Sequence, residues 1–323
     1  MARKVILSVD IGGTNLKGGL VDHLTGELIF SHQKPTEANL GIMGVAENIC
    51  FLFSFLSEYA RRNGYKVIAV AYDTPGNVDP GTGMVSGSCS NIPGLIDFDL
   101  PKLIRGRLGL PVFDLNDAKS FTLAEATYGA GKGLTDFGVW TLGTGVGGGL
   151  VLNGEIFYGK YSSACELGHL EIDPLGPLCK QGHRGCIESF CGTEAIKRFW
   201  RRSYDLREKK TSYHDKENPS VKEIFKHAEQ GDELCLLVVD EVAERLAKGM
   251  ATTAKMLDLQ AGILGGKISS EDFFLAKVQK FITPQLYETQ QNFCVLRAKY
   301  HDEGGIIGAA AYAYQRLLEL GKG

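Results

Sequence analysis

The sequence predicts an α/β protein of two domains with a cleft between them. Three observations carry that prediction. The chain has 323 residues, more than one hydrophobic core usually supports. An apolar strand that runs through a glycine-rich turn into a hairpin occurs twice, and helix and strand patterns alternate after the first of these. The first domain is expected over residues 1–117 and the second over 118–304, with a last helix at 305–320 packing back onto the first.

Taken in order, Val5 to Val9 is an apolar run of strand length that stops at Asp10 and Gly12-Gly13. Lys17 to Val21 and Glu27 to His32, separated by a turn at Asp22 to Gly26, complete a β-meander. From Gly41 to Arg62, Val45, Ile49, Leu52, Phe53 and Leu56 recur at helical spacing, and Gly64 suits the C-terminal cap. Strand Val67 to Tyr72 follows. The stretch Pro75 to Gly94 holds Asp79-Pro80, Gly81, Gly83 and Pro93, which marks a surface loop of the kind that often carries binding residues. A helix near Leu100 to Leu108 leads to strand Val112 to Leu115, which ends at Asn116-Asp117.

The same order then begins again. Strand Val139 to Leu142 meets Gly143 to Gly149, strand Leu150 to Leu152 turns at Asn153-Gly154, and Glu155 to Tyr158 returns. Later come a basic, polar segment at 198–218, read as a solvated helix end and loop, and a helix through Glu233 to Leu257. An apolar stretch, Ala261 to Leu264, ends at Gly265-Gly266, and the last helix runs from about Gly305 to Leu320.

Composition excludes several classes. With 44% hydrophobic and 23% charged residues the chain has apolar material for two cores. Lys+Arg of 35 against Asp+Glu of 38 leaves a net charge of -3, which offers no broad basic footprint for nucleic acid. The apolar run in MARKVILSVDIGG is too short for a signal peptide or a membrane span, so a cytoplasmic protein with a small-molecule partner and no membrane partner is expected. Eight cysteines scattered from Cys50 to Cys294 read as buried thiols rather than a disulfide framework, apart from the segment around Cys179 and Cys186.

Two glycine turns carry the chemistry. In Asp10-Ile11-Gly12-Gly13-Thr14, an acidic residue at a strand end precedes glycines that let backbone N–H groups approach phosphate oxygens, as a metal–nucleotide site requires. Taken alone, the same residues suit an ordinary β-turn equally well. The run Gly143-Thr144-Gly145-Val146-Gly147-Gly148 contains G-x-G-x-x-G, yet it continues into a hairpin where a dinucleotide fingerprint would open a helix. That reading fails, and the sequence contains no G-x-x-x-x-G-K-[ST].

DIGGTNLKGGLVD and TLGTGVGGGLVLNGEIFYGK, with LND between them and GILGGKIS after them, resemble the repressor–ORF–kinase (ROK) family of the hexokinase/actin-like ATPase superfamily. SNIPG (Ser90 to Gly94), ELGH (Glu166 to His169) and GPLCKQGHRGCIES (Gly176 to Ser189) extend the resemblance over most of the chain. It implies two ribonuclease-H-like domains closing on a cleft, a homodimer, and phosphoryl transfer from ATP to a sugar hydroxyl. By position, Asp10 would help hold Mg²⁺ through water. The backbone at Gly12, Gly13 and Thr14 and at Gly143, Thr144 and Gly145 would hold phosphates, and Gly265 and Gly266 would lie against the adenosine.

Asp117 matches the family's catalytic aspartate, the base for the sugar hydroxyl. Without the surrounding motifs it would read as a cap of the helix beginning near Ala118. Asp114, inside the preceding strand, reads as a structural hydrogen-bond acceptor. Asn91, Asn116, Glu166, His169 and Glu188 match sugar-binding positions, and mixed amide, carboxylate and imidazole groups suit a ring of hydroxyls. The plainer alternatives are turn formation for the two asparagines and surface charge for the two glutamates.

His169, Cys179 and Cys186 match a structural zinc site, expected within 169–186. The family usually shows C-x-C-G-x-x-G-C, and Gln181 stands where its third cysteine would be. His183 as substitute, water as fourth ligand and absence of metal all stay open, with Cys165 and Cys191 read as packed thiols. Lys119-Ser120 replace an Asn-Ala pair and read as a surface change. Leu95 stands where many relatives have an aromatic residue.

The leading functional expectation is a kinase of glucose or a similar aldohexose. N-acetylhexosamine kinase and fructokinase are the enzyme alternatives. A sugar-responsive regulator is disfavoured because the chain begins at its first strand, with no preceding helix-turn-helix, and a non-catalytic sensor is disfavoured by the intact Asp10 and Asp117.

Overall fold

In the computed structural model, which describes residues 2–79, 81–87, 89, 91–266 and 272–321, the chain forms two compact α/β units. Unit 1 comprises Met1–Lys132, Tyr158–Ala164 and Asp302–Gly323; unit 2 comprises Gly133–Phe157 and Cys165–His301.

Unit 1 is organised by β1 (Lys4–Ile11), which is buried on both faces over Val5–Val9. Val5, Leu7, Val9 and Ile11 enter one core and Ile6 the other. Ser8 shares the second face, and its buried hydroxyl is satisfied by donating to the Ile306 carbonyl at 2.7 Å. β2 (Asn15–Asp22) and β3 (Leu28–Pro35) continue the meander antiparallel. After α1 (Gly41–Arg62) comes β4 (Lys66–Thr74), parallel to β1. A small hairpin of β5 (Asn77–Val78) and β6 (Val85–Ser86) interrupts the expected surface loop. Then follow α2 (Leu100–Leu108), β7 (Val112–Asn116) and α3 (Asp117–Tyr128), giving the sheet order β3-β2-β1-β4-β7.

The segment Ala38–Arg62 contains an 18-residue window with a mean hydropathy of 1.7, sufficient by length and composition for a membrane span. Its Val45, Ile49, Leu52, Phe53 and Leu56 instead pack on the sheet of unit 1 and form part of its larger core.

Unit 2 repeats the plan. β8 (Phe137–Leu142), β9 (Val146–Leu152) and β10 (Glu155–Ile156) form the meander. Four helices follow: α4 (Glu188–Cys191), α5 (Thr193–Asp205), α6 (Val221–Glu229) and α7 (Glu233–Leu257). β11 (Ala261–Gly265), α8 (Asp272–Ile282) and β12 (Cys294–Arg297) close the unit, with sheet order β10-β9-β8-β11-β12. In both sheets the first strand has an antiparallel hairpin partner on one side and two parallel strands on the other.

α9 (Gly304–Glu319) belongs to unit 1 and covers the second face of its sheet with Ile306, Ala309, Ala310, Ala313 and Leu317. The first domain is expected to close at Asp117, whereas the observed unit runs on through α3 to Lys132. The reason is the packing of α3 on α9: a β-carbon at Gly308 would fall on the Ser120 carbonyl oxygen, so the two backbones touch.

Two expectations need correction. Lys119-Ser120 are buried, at 3% and 0% exposure, because α3 is covered by α9 and by the Tyr158–Ala164 segment. The Lys119 ammonium donates to the Ser162 carbonyl at 2.9 Å. Within the segment expected to be solvated, Trp200 is fully buried and packs edge-on against Tyr213 at 5.2 Å, while Arg202, Arg207, Lys209 and Lys210 are exposed.

Gly308→Ala should therefore destabilise the protein by about 1–3 kcal/mol, the usual cost of overpacking. Denaturant unfolding checks this, and an unchanged midpoint would contradict direct backbone contact between α3 and α9.

Candidate active site

The carboxyl ends of parallel strands are where α/β sheets usually bind ligands, because the chain turns there and leaves backbone groups unpaired. In unit 1 those ends belong to β1, β4 and β7, and they bring together residues far apart in sequence. Asp10 lies directly opposite Asp73, Thr74 lies opposite Asn116, and Asp117 follows.

Asp73 is wholly buried, and burial followed by the charge of Asp10 holds its carboxyl well above the usual carboxylate range. Burial also raises Asp10, against the opposing effects of the neighbouring Asp73 carboxyl and the charge of Lys17. Lys17 faces Asp10 across the β1–β2 ladder and reaches Asp302 at 3.9 Å. The pair consequently keeps a proton to higher pH than two separate aspartates would. A β-carbon at Gly305 would fall on the Asp73 carboxylate, so α9 begins against this pair.

The first glycine turn joins β1 to β2. Gly12 N–H donates to Asn15 O at 3.1 Å, and Thr36, itself fully buried, donates its hydroxyl to Gly12 O at 2.6 Å and its N–H to Thr14 O at 2.9 Å. Asn91 lies over the turn, since a β-carbon at Gly13 would meet the Asn91 Cβ at 2.7 Å.

Asn116 caps α3, accepting from Lys119 N–H at 3.1 Å. Its amide NH₂ donates to Gly76 O and to Asp117 Oδ1, both at 3.0 Å. Capping thus falls to Asn116 rather than to Asp117. Asp117 is exposed, and its Oδ1 also accepts from Ala118 N–H at 2.7 Å. Asp114 accepts from the Tyr72 hydroxyl at 3.2 Å, the structural role expected of it, and burial pushes its carboxyl up to about 7.

In unit 2 the second glycine turn joins β8 to β9. Gly143 N–H donates to Gly145 O at 3.0 Å, and Thr193 at the start of α5 donates both its hydroxyl, at 2.8 Å, and its N–H, at 3.0 Å, to Gly143 O. Glu188 presses on the turn: its Oε2 accepts from Val146 N–H at 3.2 Å, and a β-carbon at Gly145 would fall on it. Gly266, at φ +94, comes against the Leu142 backbone, which sets Gly265-Gly266 beside the same turn. Thr144, Glu188, Gly192, Glu194 and Arg198 line one hollow. Glu166 is exposed and precedes the helical turn Leu167–His169.

His169 leads into a side-chain cluster. Its Nδ1 is 3.8 Å from both Cys179 Sγ and Cys186 Sγ, and one ligand atom each of His169, Cys179 and His183 lies within 4.8 Å of the others. Two thiols and two imidazoles are a donor set suited to zinc. Cys191 is buried, with its thiol directed at Val242 O, and Cys165 is half-buried, with its thiol directed at Phe157 O.

Thr36, Asp73 and Thr193 were not singled out from sequence. Thr36 lies 24 residues from the glycine it holds and Thr193 lies 50, so no local pattern marks either. Pro80, Ser90 of SNIPG and Lys267, Ile268 and Ser269 of GILGGKIS lie outside the described residues.

A family model described as the ROK family matches residues 6–316. The chain is 31% identical to a glucokinase of Thermotoga maritima, over 98% of this chain and 99% of that one. It is 29% identical to an N-acetylmannosamine kinase of Escherichia coli, over 97% and 99%. Its fold matches the crystal structure of a ROK family glucokinase from Streptomyces griseus in complex with glucose and AMPPNP, with a TM-score of 0.81, 29% identity, and coverage of 96% of this chain and 99% of that chain.

One titration prediction follows from Asp114. A carboxyl raised in the folded state adds stability at low pH and loses it as pH climbs from the ordinary 3.8 to about 7. Asp114→Asn, which can still accept from Tyr72, should match the wild type near pH 4 and exceed it by about 2–4 kcal/mol at pH 8. Denaturant unfolding at both pH values measures this, and parallel pH profiles would refute it.

Proposed function

The chain belongs to the ROK family, and on that premise we propose that it transfers the γ-phosphoryl group of ATP to a hydroxyl of a free aldohexose, glucose or a near relative, with Asp117 as the base. The observation that supports this reading best is the row of Asp10, Asn116 and Asp117 at the carboxyl ends of parallel strands, beside a glycine turn clasped by Thr36. Likeness to a glucokinase, and to a glucokinase structure holding glucose and AMPPNP, supports the choice of sugar and donor.

Phosphoryl transfer asks little covalent chemistry of a protein and much positioning. Asp117 would accept the proton of the attacking hydroxyl, while Asn116 fixes one of its oxygens and leaves the carboxylate oriented. Asp10 would hold a magnesium ion through water, and that ion supplies neutralisation of phosphate charge. The amides of Gly12, Gly13 and Thr14 and of Gly143, Thr144 and Gly145 would receive phosphate oxygens, with Gly265 and Gly266 against the adenosine. Asn91, Glu166, His169 and Glu188 would bind sugar hydroxyls; one oxygen of Glu188 is taken by Val146 N–H, which leaves the other for the ligand.

The N-acetylmannosamine kinase relative motivates a second reading in which an N-acetylated amino sugar is the acceptor. ADP release over a panel of hexoses, ketoses and N-acetylated amino sugars, with the product assigned by NMR, separates the two. No ADP release with any member would sink both.

Asp117→Asn should keep sugar binding and lower kcat by roughly 10²–10⁴-fold. Near-normal turnover would remove Asp117 from its role. Thr36→Val and Thr193→Val should each raise KM for ATP by roughly 3–10-fold, as expected for one lost hydrogen bond that positions a turn, with a smaller effect on KM for sugar. The corresponding serine variants should restore the wild-type values, and equal effects on both substrates would point to general loss of structure.

A further inference from the structure

We propose that His183 is the fourth ligand of a structural zinc ion in unit 2, so that the site is Cys₂His₂, with Cys179, Cys186, His169 and His183 around the metal.

The local backbone makes this arrangement. Cys179 N–H donates to His183 O at 2.8 Å, and Gly182 N–H donates to Cys179 O at 3.0 Å, so residues 179–183 form a tight loop whose two ends lie side by side. Leu178 and Arg184 pair antiparallel just outside it. Cys179 and His183 are therefore both presented at the base of the loop, with Gln181 in the turn between them; His183 and Gln181 are both exposed. The next bridge, Glu171 with Cys186, brings the second cysteine to the same side as His169.

Distances agree with a shared ion. Tetrahedral zinc with ordinary Zn–S and Zn–N bonds sets sulfur and nitrogen ligand atoms about 3.6 Å apart. The observed separations from His169 Nδ1 to the two sulfurs are both 3.8 Å. The rings of His169 and His183 are 4.8 Å apart between centroids, at 74° to one another, so both can point a nitrogen at one centre without stacking. Because His169 Nδ1 faces both thiols, that atom is the ligand and Nε2 carries the proton.

Charge distinguishes the set. Two thiolates and two neutral imidazoles balance Zn²⁺ completely, whereas three thiolates and one imidazole leave a net negative charge. A ligand at 183 rather than 181 thus keeps a closed, four-coordinate site and makes it electrically neutral. The ion would tie the Leu167–His169 turn to Cys186, and Cys186 precedes Glu188 by two residues. The metal thereby fixes the two segments that press on the second glycine turn, and its presence is read independently of phosphoryl transfer.

The test uses the full chain and measures metal. Wild-type protein should carry one zinc per chain after zinc titration, by elemental analysis. His183→Ala should weaken zinc by more than about 10-fold in competition with a chromophoric chelator, since even the loss of an outer-sphere partner costs that much. Gln181→Cys on the His183→Ala background should restore binding. If His183→Ala fails to fold, cobalt substitution decides: the wild type should give a sulfur-to-cobalt charge-transfer band for two thiolates, and His183→Cys should raise it to that of three. A wild type that takes up no zinc, an unchanged zinc affinity in His183→Ala, or an unchanged cobalt spectrum in His183→Cys would each overturn the proposal.

Discussion

The threonine hydroxyl on the first glycine carbonyl of each turn is the interaction on which both units depend. A glycine turn can present its N–H groups outward only if its carbonyls are satisfied elsewhere, since a buried unpaired carbonyl costs about as much as a lost hydrogen bond. Thr36 does this for Gly12 and Thr193 does it for Gly143, each reinforced by a backbone N–H. Thr36 arrives shortly before α1 and Thr193 opens α5, so each turn is tied to the helical layer beside its own sheet. Turn, strand and helix in each unit are thereby one mechanical piece.

The two units share topology but not charge. Asp10 faces Asp73 at the end of β1 and β4, whereas the corresponding ends of β8 and β11 bring Thr141 opposite Gly265. The same strand order therefore yields an acidic strand end in unit 1 and a neutral one in unit 2.

Concentrating carboxyls carries a cost that the surrounding residues limit. Burial keeps Asp73 and Asp114 protonated to higher pH than usual, which avoids placing full charges beside one another. Lys17 supplies a cation next to Asp10 on the neighbouring strand, and the glycines that open α9 allow the positive end of that helix to reach the pair. Lys119, two residues beyond Asp117, spends its ammonium on Ser162 O and so anchors the Tyr158–Ala164 segment to α3. Its burial explains why it is not the neutral surface exchange that local sequence suggests.

Local sequence determined the elements whose signal is periodic or backed by glycine. The apolar run of β1, the helical spacing of α1 and α7 and the Asn153-Gly154 turn are all short-range properties, and the repeated strand, turn and hairpin is visible as a pattern of residue types. The acids at strand ends were legible for the same reason, because Asp10 and Asp117 each sit where a strand signal stops. Asp73 was hidden inside an apolar strand, and only its register opposite Asp10 reveals what it meets. Thr36, Thr193 and Lys119 are ordinary residues until the sheets and helices close around them. Tertiary structure decided their partners because a hydrogen bond or a buried charge is set by neighbours in space, which here come from 24 to 50 residues away along the chain.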